Sequence, residues 1–269
     1  MKFLLFLQVR GSKGLAAKYS IIRIAVFFYR IYQFLVMIPL LAVLTVLAAS
    51  VTIIGSVLGA SRSMGYWPGH LWAKAFCMLS LVKVRVRGRE NIDRRTSYVF
   101  VANHQGAYDI FAIYGYLGHN FRWMMKKSLE RIPFVGFSCR VSGHIYVDNS
   151  SPSATAHTMA TAEKQLSGGM SVVVFPEGSR SRDGRMHAFR RGAFKLATEF
   201  SLPVVPVTID GAYGVMPRGS VLPRPGSITL TIHAPIHASS ETGRHELSEL
   251  MERSADAIAS ALPEAQKPR

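Results

Sequence analysis

A histidine and an aspartate follow an apolar run near the middle of the chain and could together provide a general base. The run Tyr98–Ala102 is rich in β-branched and aromatic residues, which predicts a buried strand. His104 and Asp109 would face different sides of a regular helix, because five residues turn it through about 500°. They can meet only if His104 lies in a strand-to-helix turn that reverses at Gly106. An imidazole oriented by a carboxylate keeps its other nitrogen free to accept a proton.

The same two residues allow a simpler interpretation. Asp109 precedes an apolar stretch that predicts a helix, Ile110–Leu117, and aspartate commonly caps helices. A histidine and an aspartate at this spacing also occur by chance. The case for chemistry therefore depends on a second polar segment.

That second segment, residues 176–184, follows another buried strand, Ser171–Phe175. Gly178 allows the backbone to approach an anion closely. Arg180 has the planar guanidinium that suits bidentate contact with phosphate. Glu177 is expected to hydrogen-bond a hydroxyl or to hold an arginine in place. We expect this loop to share one sheet edge with His104; the alternative is a solvated surface loop in which Arg and Glu pair weakly.

The composition points to a membrane rather than to nucleic acid. The chain has 32 Lys and Arg against 16 Asp and Glu, a net charge of +16, and 49% hydrophobic residues. No acidic residue precedes Glu90, and residues 31–60 carry no charge, which exceeds the roughly 20 residues that cross a bilayer. A membrane anchor with both flanks cytoplasmic is expected, because cations occur on both sides.

Several arrangements of this anchor remain open. The segment could cross once, re-enter as a hairpin kinked at Pro39 or Gly55, form two short helices over Tyr19–Ala60, or lie within one leaflet. A buried core helix is the simplest alternative. Residues 61–80 carry Tyr66 and two tryptophans among apolar residues. They predict an interfacial helix with its rings at headgroup level, or an ordinary core helix.

The two cysteines, Cys77 and Cys139, lie in no paired motif. Neither a disulfide nor a metal site is therefore expected. Both are interpreted as small core residues in a reduced, cytoplasm-facing domain.

Downstream of residue 81 the hydrophobic period predicts alternating strands and helices. Strands are predicted at Val82–Val86, Tyr98–Ala102, Phe121–Met125, Ser171–Phe175, Pro203–Ile209 and Ser227–His233, and helices at Ile110–Leu117, Ser151–Ser167 and Gly192–Phe200. This alternation predicts an α/β fold with a mixed, mainly parallel sheet flanked by helices. The expected organisation is a membrane anchor with interfacial helices over 1–80, a catalytic domain over 81–240, and an amphipathic helix over 241–269.

Four sequence blocks resemble those of the glycerolipid acyltransferases, in the family's order, over about residues 60–235. They are Asn103–Asp109 for the His-x4-Asp block, Lys126–Leu129 with Ile132–Gly136 for the second, Phe175–Ser181 for the Glu-Gly-Thr-Arg block, and Val205–Ile209 for the fourth, with Phe189–Ala193 as a typical helix start. The nearest subgroup is the bacterial 1-acyl-sn-glycerol-3-phosphate acyltransferases. Ser179 replaces threonine, and Asn149 stands where many members have arginine.

The resemblance implies a 1-acylglycerol-3-phosphate O-acyltransferase of phospholipid biosynthesis. Such an enzyme moves a fatty acyl group from acyl-CoA or acyl-carrier protein to the sn-2 hydroxyl of 1-acyl-glycerol-3-phosphate, which gives phosphatidic acid. His104 would be the general base and Asp109 its orienting partner. The substrate-binding residues would be Glu177, Gly178, Ser179 and Arg180, which hold the phosphate, and Lys126 and Lys127, which add charge.

No cofactor is implied beyond the thioester co-substrate. The expected partners are the lysophospholipid, the acyl thioester and membrane lipids, with no nucleic acid, at the cytoplasmic face of a bacterial inner membrane. Two alternatives remain within the enzyme class, transfer to another lysolipid such as lyso-ornithine lipid and transfer to glycerol-3-phosphate. A basic, membrane-bound adaptor without activity is the alternative outside it.

Overall fold

The computed structural model describes residues 23–148, 150–237 and 244–268. The chain forms two compact units, Met1–Val43 and Leu44–Arg269. In the first unit, residues 23–43 are helical and expose apolar side chains such as Phe28 and Leu35. In the second unit, residues 44–80 and the C-terminal helix lie together with the α/β fold.

Helix α1, Arg23–Met64, is 42 residues long and apolar enough to cross a membrane by length and composition. Its segments are a π-helical stretch Gln33–Met37, an α-helix Ile38–Gly55, a second π-helical stretch Ser56–Ala60 and a final turn Ser61–Met64. The first π-helical stretch ends at Met37, two residues before Pro39, which lacks the N–H that a regular turn uses there. The helix continues through Pro39, but the backbone leaves the helical conformation at Gly59, which has a φ of +91°. A Cβ at Gly55 would lie 2.2 Å from Cγ of Met64, so the chain turns back on itself at this kink. How this helix lies in a membrane stays a prediction. This helix indicates membrane association.

In the part of the chain that the structure describes, seven strands form one sheet in the order β1-β7-β6-β2-β5-β3-β4. They are β1 Val82–Arg87, β2 Val99–Ala102, β3 Phe121–Lys126, β4 Ile145–Val147, β5 Ser171–Val174, β6 Val204–Asp210 and β7 Gly226–Ile232. Neighbouring strands are parallel except β6 and β7, which are antiparallel. The predicted mixed, mainly parallel sheet is confirmed.

Seven further helices lie within the described residues. They are α2 Trp67–Leu79, α3 Tyr108–Tyr116, α4 Val135–Val141, α5 Pro152–Ser167, α6 Gly192–Glu199, α7 Ala212–Val215 and α8 Arg244–Ser260. Short 3-10 turns lie at Arg89–Asn91, Lys127–Arg131 and Glu264–Gln266. The predicted strands and helices are present to within a few residues at their ends; α4, α7 and β4 are short elements that periodicity did not predict.

The sheet is covered on both faces, so its central strands are buried on both sides. On β2, Val99 and Val101 pack in one core with α5, α6 and α8, while Phe100 and Ala102 pack in the other with α2 and α3. All four side chains are fully buried. The rigid centre of the sheet therefore holds the residue that follows Ala102.

Helix α2 has one buried and one exposed face. Ala73 and Cys77 are fully buried, whereas Trp67, Leu71 and Met78 are more than half exposed. The buried face is that of a core helix, and the exposed apolar face is what an interfacial helix would present, so α2 has features of both predicted types. The ring of Tyr66, predicted at headgroup level, is instead buried, because the aromatic rings of the core pack around it.

Asn103 fixes the end of β2 against β6. Its amide Nδ2 donates to Ile209 O at 2.9 Å, and its Oδ1 accepts from Ile209 N at 2.8 Å. Asn103 is fully buried, so these paired bonds satisfy groups that water cannot reach. The turn that carries His104 thus starts from an anchored point.

Candidate active site

The turn after β2 is closed by one carboxylate oxygen. Asp109 Oδ2 accepts hydrogen bonds from Gln105 N at 2.6 Å and from Gly106 N at 2.8 Å. The turn also passes close to α7, because a Cβ at Gly106 would lie 2.5 Å from the carbonyl oxygen of Ala212. Asp109 lies in the first turn of α3, where the helix dipole favours a negative charge. The aspartate therefore closes the turn before α3 and is not the helix cap of the simpler interpretation, because the N-cap residue is Ala107.

The same oxygen meets the imidazole. His104 Nδ1 lies 2.8 Å from Asp109 Oδ2, and Asp109 is fully buried. The His104 ring stacks on Phe175, with centroids 4.0 Å apart and planes 9° apart. Within residues 23–148, 150–237 and 244–268, Nε2 of His104 has no hydrogen-bond partner. The ring is therefore held at one nitrogen and one face.

Glu177 reaches His104 from the loop that follows the neighbouring strand β5, which pairs in parallel with β2. Its Oε1 accepts from the main-chain N–H of His104 at 2.7 Å, and its Oε2 accepts from that of His187 at 2.9 Å. The carboxylate was expected to contact a hydroxyl or an arginine; in the described residues both oxygens take main-chain donors instead. Burial raises the pKa of Glu177 to about 7.

The loop after β5 is tied to the turn a second time. Ser181 N donates to His104 O at 2.8 Å. Gly178 has a φ of +75°, and a Cβ there would lie 2.9 Å from Nε of Arg190. Both the left-handed backbone and the nearby guanidinium therefore favour glycine at this position.

His104 opens on a cavity of about 790 Å³. Arg180 lines this cavity, as expected, together with Gly178 and Ser179 of the same loop. Arg190 and Arg218 line it as well, so three arginines from two loops contribute to its wall. Such a group of arginines can hold an anionic headgroup through charge-assisted hydrogen bonds.

Most of the remaining cavity wall is apolar. It includes Ala48, Ala49, Trp72, Ile110, Met124, Met125, Leu129, Ile132, Val135, Val147 and Met159. Cavities of this size with apolar walls and a few placed polar groups are typical of sites for small molecules. The combination of cations and apolar surface suits a ligand with a charged head and a hydrocarbon tail.

The two lysines of the second block differ in position. Lys126 lines the cavity. Lys127 is absent from its described lining, and its Nζ lies 2.8 Å from Asp148 Oδ2. Asn149, which replaces the family's arginine, lies outside the described residues.

Several residues of the site were not predicted to be functional. Phe175 stacks on His104, and the main-chain N–H of His187 donates to Glu177. Arg190 and Arg218 line the cavity. Arg190 lies in the segment Phe189–Ala193, which resembles a typical helix start of the family, so the sequence did contain a signal for this residue. Arg218 reaches the site because Pro217 bridges to Gly106, a contact that the local sequence does not encode.

Comparison with known proteins identifies the family of this chain. Residues 83–210 match the family model described as Acyltransferase. A chloroplastic 1-acyl-sn-glycerol-3-phosphate acyltransferase of Arabidopsis thaliana is 33% identical over 66% of this chain and 50% of its own length. An enzyme of the same name from Chlamydomonas reinhardtii is 31% identical over 86% of this chain and 68% of its own. The chain thus spans about half the length of the Arabidopsis relative.

A solved structure has the same fold. The crystal structure of the 1-acyl-sn-glycerophosphate acyltransferase PlsC from Thermotoga maritima superposes with a TM-score of 0.64 at 27% identity. The match covers 81% of this chain and 95% of that one. From these similarities, the chain belongs to the 1-acyl-sn-glycerol-3-phosphate acyltransferase family.

Proposed function

We propose that this chain transfers a fatty acyl group from acyl-CoA or acyl-carrier protein to the sn-2 hydroxyl of 1-acyl-sn-glycerol-3-phosphate, which gives phosphatidic acid. The observation that carries the proposal is the His104–Asp109 pair, 2.8 Å apart, on a cavity that also contains three arginines and apolar walls. The names of the relatives support the acceptor.

His104 acts as the general base in this proposal. In this scheme Nδ1–H of His104 donates a hydrogen bond to Asp109 Oδ2, so Nε2 is the nitrogen that takes the proton from the acceptor's hydroxyl. The hydroxyl oxygen bonds to the thioester carbonyl carbon, the carbon–sulfur bond breaks, and the departing sulfur takes the proton back from Nε2. The products are an ester and a free thiol. General-base help of this kind contributes roughly 10² to 10⁴ in rate, and positioning contributes further.

Arg180 holds the acceptor's phosphate in this scheme, with Gly178 and Ser179 of the same loop beside it. A guanidinium can make two parallel hydrogen bonds to phosphate oxygens, which fixes the angle as well as the distance of the headgroup. Lys126 adds positive charge at the cavity wall. Glu177 acts differently from the sequence expectation: it positions the His104 main chain and leaves the phosphate to the cations.

The thioester supplies the activated acyl group, so this chemistry needs no further cofactor. The acceptor and the acyl donor both carry hydrocarbon chains, and the apolar walls of the cavity can take them. Both substrates are anionic, which suits a chain with a net charge of +16.

We also propose that α1 holds the chain at the cytoplasmic face of a bacterial inner membrane. Cations lie in the last turn of this helix, at Arg62, and in α2, at Lys74, which favours the cytoplasmic side for the residues after it. Protease added to inside-out inner-membrane vesicles should therefore cleave a tag placed at the C-terminus. A tag that is cleaved only in right-side-out spheroplasts would contradict this orientation.

Replacement of the base should abolish most of the activity and leave the fold. His104→Ala should lower kcat by roughly 10² to 10⁴, while Glu177 still accepts the main-chain N–H at position 104. Acyl transfer to lysophosphatidate in detergent and thermal melting measure the two effects. His157→Ala, which replaces an exposed histidine on α5, is the matched control. Activity of His104→Ala within tenfold of the parent chain would contradict the general-base role.

Arg180→Lys should weaken acceptor binding more than it slows the chemical step. The lysine keeps the charge but loses the second parallel hydrogen bond, so KM for lysophosphatidate should rise about 10-fold, as expected for loss of one charged hydrogen bond. Arg182→Lys is the control, because Arg182 is exposed and is not part of the described cavity wall. Equal use of a lysolipid without phosphate, such as lyso-ornithine lipid, would contradict the proposed acceptor.

Glu177 should make stability depend on pH. Its pKa of about 7 in the folded chain lies above the ordinary 4.5, so the folded chain keeps a proton that the unfolded chain releases between these values. The free energy of unfolding should therefore fall as pH rises from about 4.5 to about 7, by up to about 3 kcal/mol. Denaturation in detergent across this range measures the slope.

The variant Glu177→Gln cannot ionise, so its unfolding free energy should lack this part of the pH slope. Glu163→Gln, an exposed substitution on α5, should keep the slope of the parent chain. Parallel slopes for Glu177→Gln and the parent would show that the carboxyl titrates normally.

A further inference from the structure

Residues 129–137 form an exposed apolar segment next to the cavity. Four large apolar side chains within these nine residues are 39% to 57% exposed: Leu129, Ile132, Phe134 and Phe137. Exposed apolar residues that are scattered singly need no explanation, but a cluster of this kind marks an interaction surface.

The segment is held in this shape by the fold. It starts in the 3-10 turn Lys127–Arg131 and ends in α4. Phe134 has a φ of +60°, a backbone conformation that is unusual for a bulky residue. Gly136 N donates to Ile132 O at 2.8 Å, and Tyr146 OH donates to Gly136 O at 2.7 Å. The two phenylalanines are therefore presented by a built turn.

The surroundings of the segment point to lipid. Leu129 and Ile132 line the cavity, and so do Ala48 and Ala49 of α1, the helix that is apolar enough to cross a membrane. The opposite side of the same stretch of α1 exposes Leu47 and other apolar residues. The cavity thus has walls from a membrane-type helix and from the 129–137 segment.

The charges around the segment fit an anionic surface. Residues 126–140 contain four cations, Lys126, Lys127, Arg131 and Arg140, and one anion, Glu130. All four cationic side chains are exposed. Cations beside exposed aromatic and aliphatic side chains are the pattern of segments that enter the headgroup region of anionic bilayers.

We infer that the 129–137 segment inserts Phe134 and Phe137 into the leaflet of an anionic lipid bilayer, beside α1, and opens the cavity directly to lipid chains. The effect of this insertion on acyl transfer rests on the proposed function, whereas the insertion itself does not. Lipid substrates then pass between the leaflet and His104 without crossing water.

Spin labelling of the full chain in vesicles tests the insertion. The chain carries Cys139→Ala, and Cys77 stays because it is fully buried. A nitroxide is placed at Phe134→Cys and, in a matched chain, at Val221→Cys, an apolar residue that is 85% exposed on another loop. Vesicles contain phosphatidylethanolamine and phosphatidylglycerol, and collision rates are measured with oxygen, which concentrates in lipid, and with a water-soluble nickel chelate.

The label at position 134 should collide several-fold more with oxygen than with the nickel chelate, and the label at 221 should show the reverse. The same readout at Phe137→Cys covers the case in which the unusual backbone at Phe134 does not tolerate cysteine. Equal accessibility of positions 134 and 221 to the nickel chelate would overturn the inference. Low collision rates with both reagents at 134 would also overturn it, because they indicate a covering protein.

A kinetic comparison separates this inference from the proposed function. The double variant Phe134→Ser, Phe137→Ser should transfer acyl groups several-fold more slowly to a long-chain lysophosphatidate in vesicles, and at the parent rate to a short-chain, water-soluble one. Equal rates on the long-chain acceptor would overturn the role in lipid entry. Absence of all transfer by the parent chain would overturn the proposed function, while the collision data still decide the insertion.

Discussion

Three N–H groups converge on one carboxylate oxygen, Asp109 Oδ2, and the geometry of the site depends on this convergence. A fully buried carboxylate without partners costs several kcal/mol. Hydrogen bonds to a charged acceptor each contribute about 1.5–3 kcal/mol, so three of them offset that cost. Two of the donors are main-chain groups of the turn and the third is the imidazole. The interaction that folds the turn therefore also orients the ring, and a change in one disturbs the other.

A second carboxylate holds the other side of the histidine. Glu177 accepts the main-chain N–H of His104, and Ser181 donates to its carbonyl oxygen. With Nδ1 bound to Asp109, every polar group of His104 except Nε2 has a partner within the described chain. The adjacency of β2 and β5 makes this possible, because parallel neighbours end at the same edge of the sheet. Fixing a reactive nitrogen in this way removes motions that would otherwise oppose reaction.

The sequence was sufficient for features whose cause is local. The buried runs that form β2 and β5 predicted both strands, and the five-residue spacing predicted that His104 lies in a turn. The partner of Glu177 was not predictable, because it depends on which strands pair across 73 residues. The main-chain N–H of His104 lies beyond the end of β2 and needs an acceptor. It donates to Glu177, whose carboxylate was expected to contact a hydroxyl or to hold an arginine. Pro39 likewise suggested a break in α1, but a π-helical stretch accommodates it.

The cavity combines groups that a single simple ligand cannot satisfy. A soluble phosphate compound would pair with Arg180, Arg190 and Arg218 but would leave the apolar walls in contact with water. An uncharged hydrocarbon would fill those walls but would leave guanidinium groups partly desolvated and unpaired, which is costly. A nucleic acid meets the first requirement and fails the second. An amphiphile with a phosphate head satisfies both, and His104 lines the same cavity.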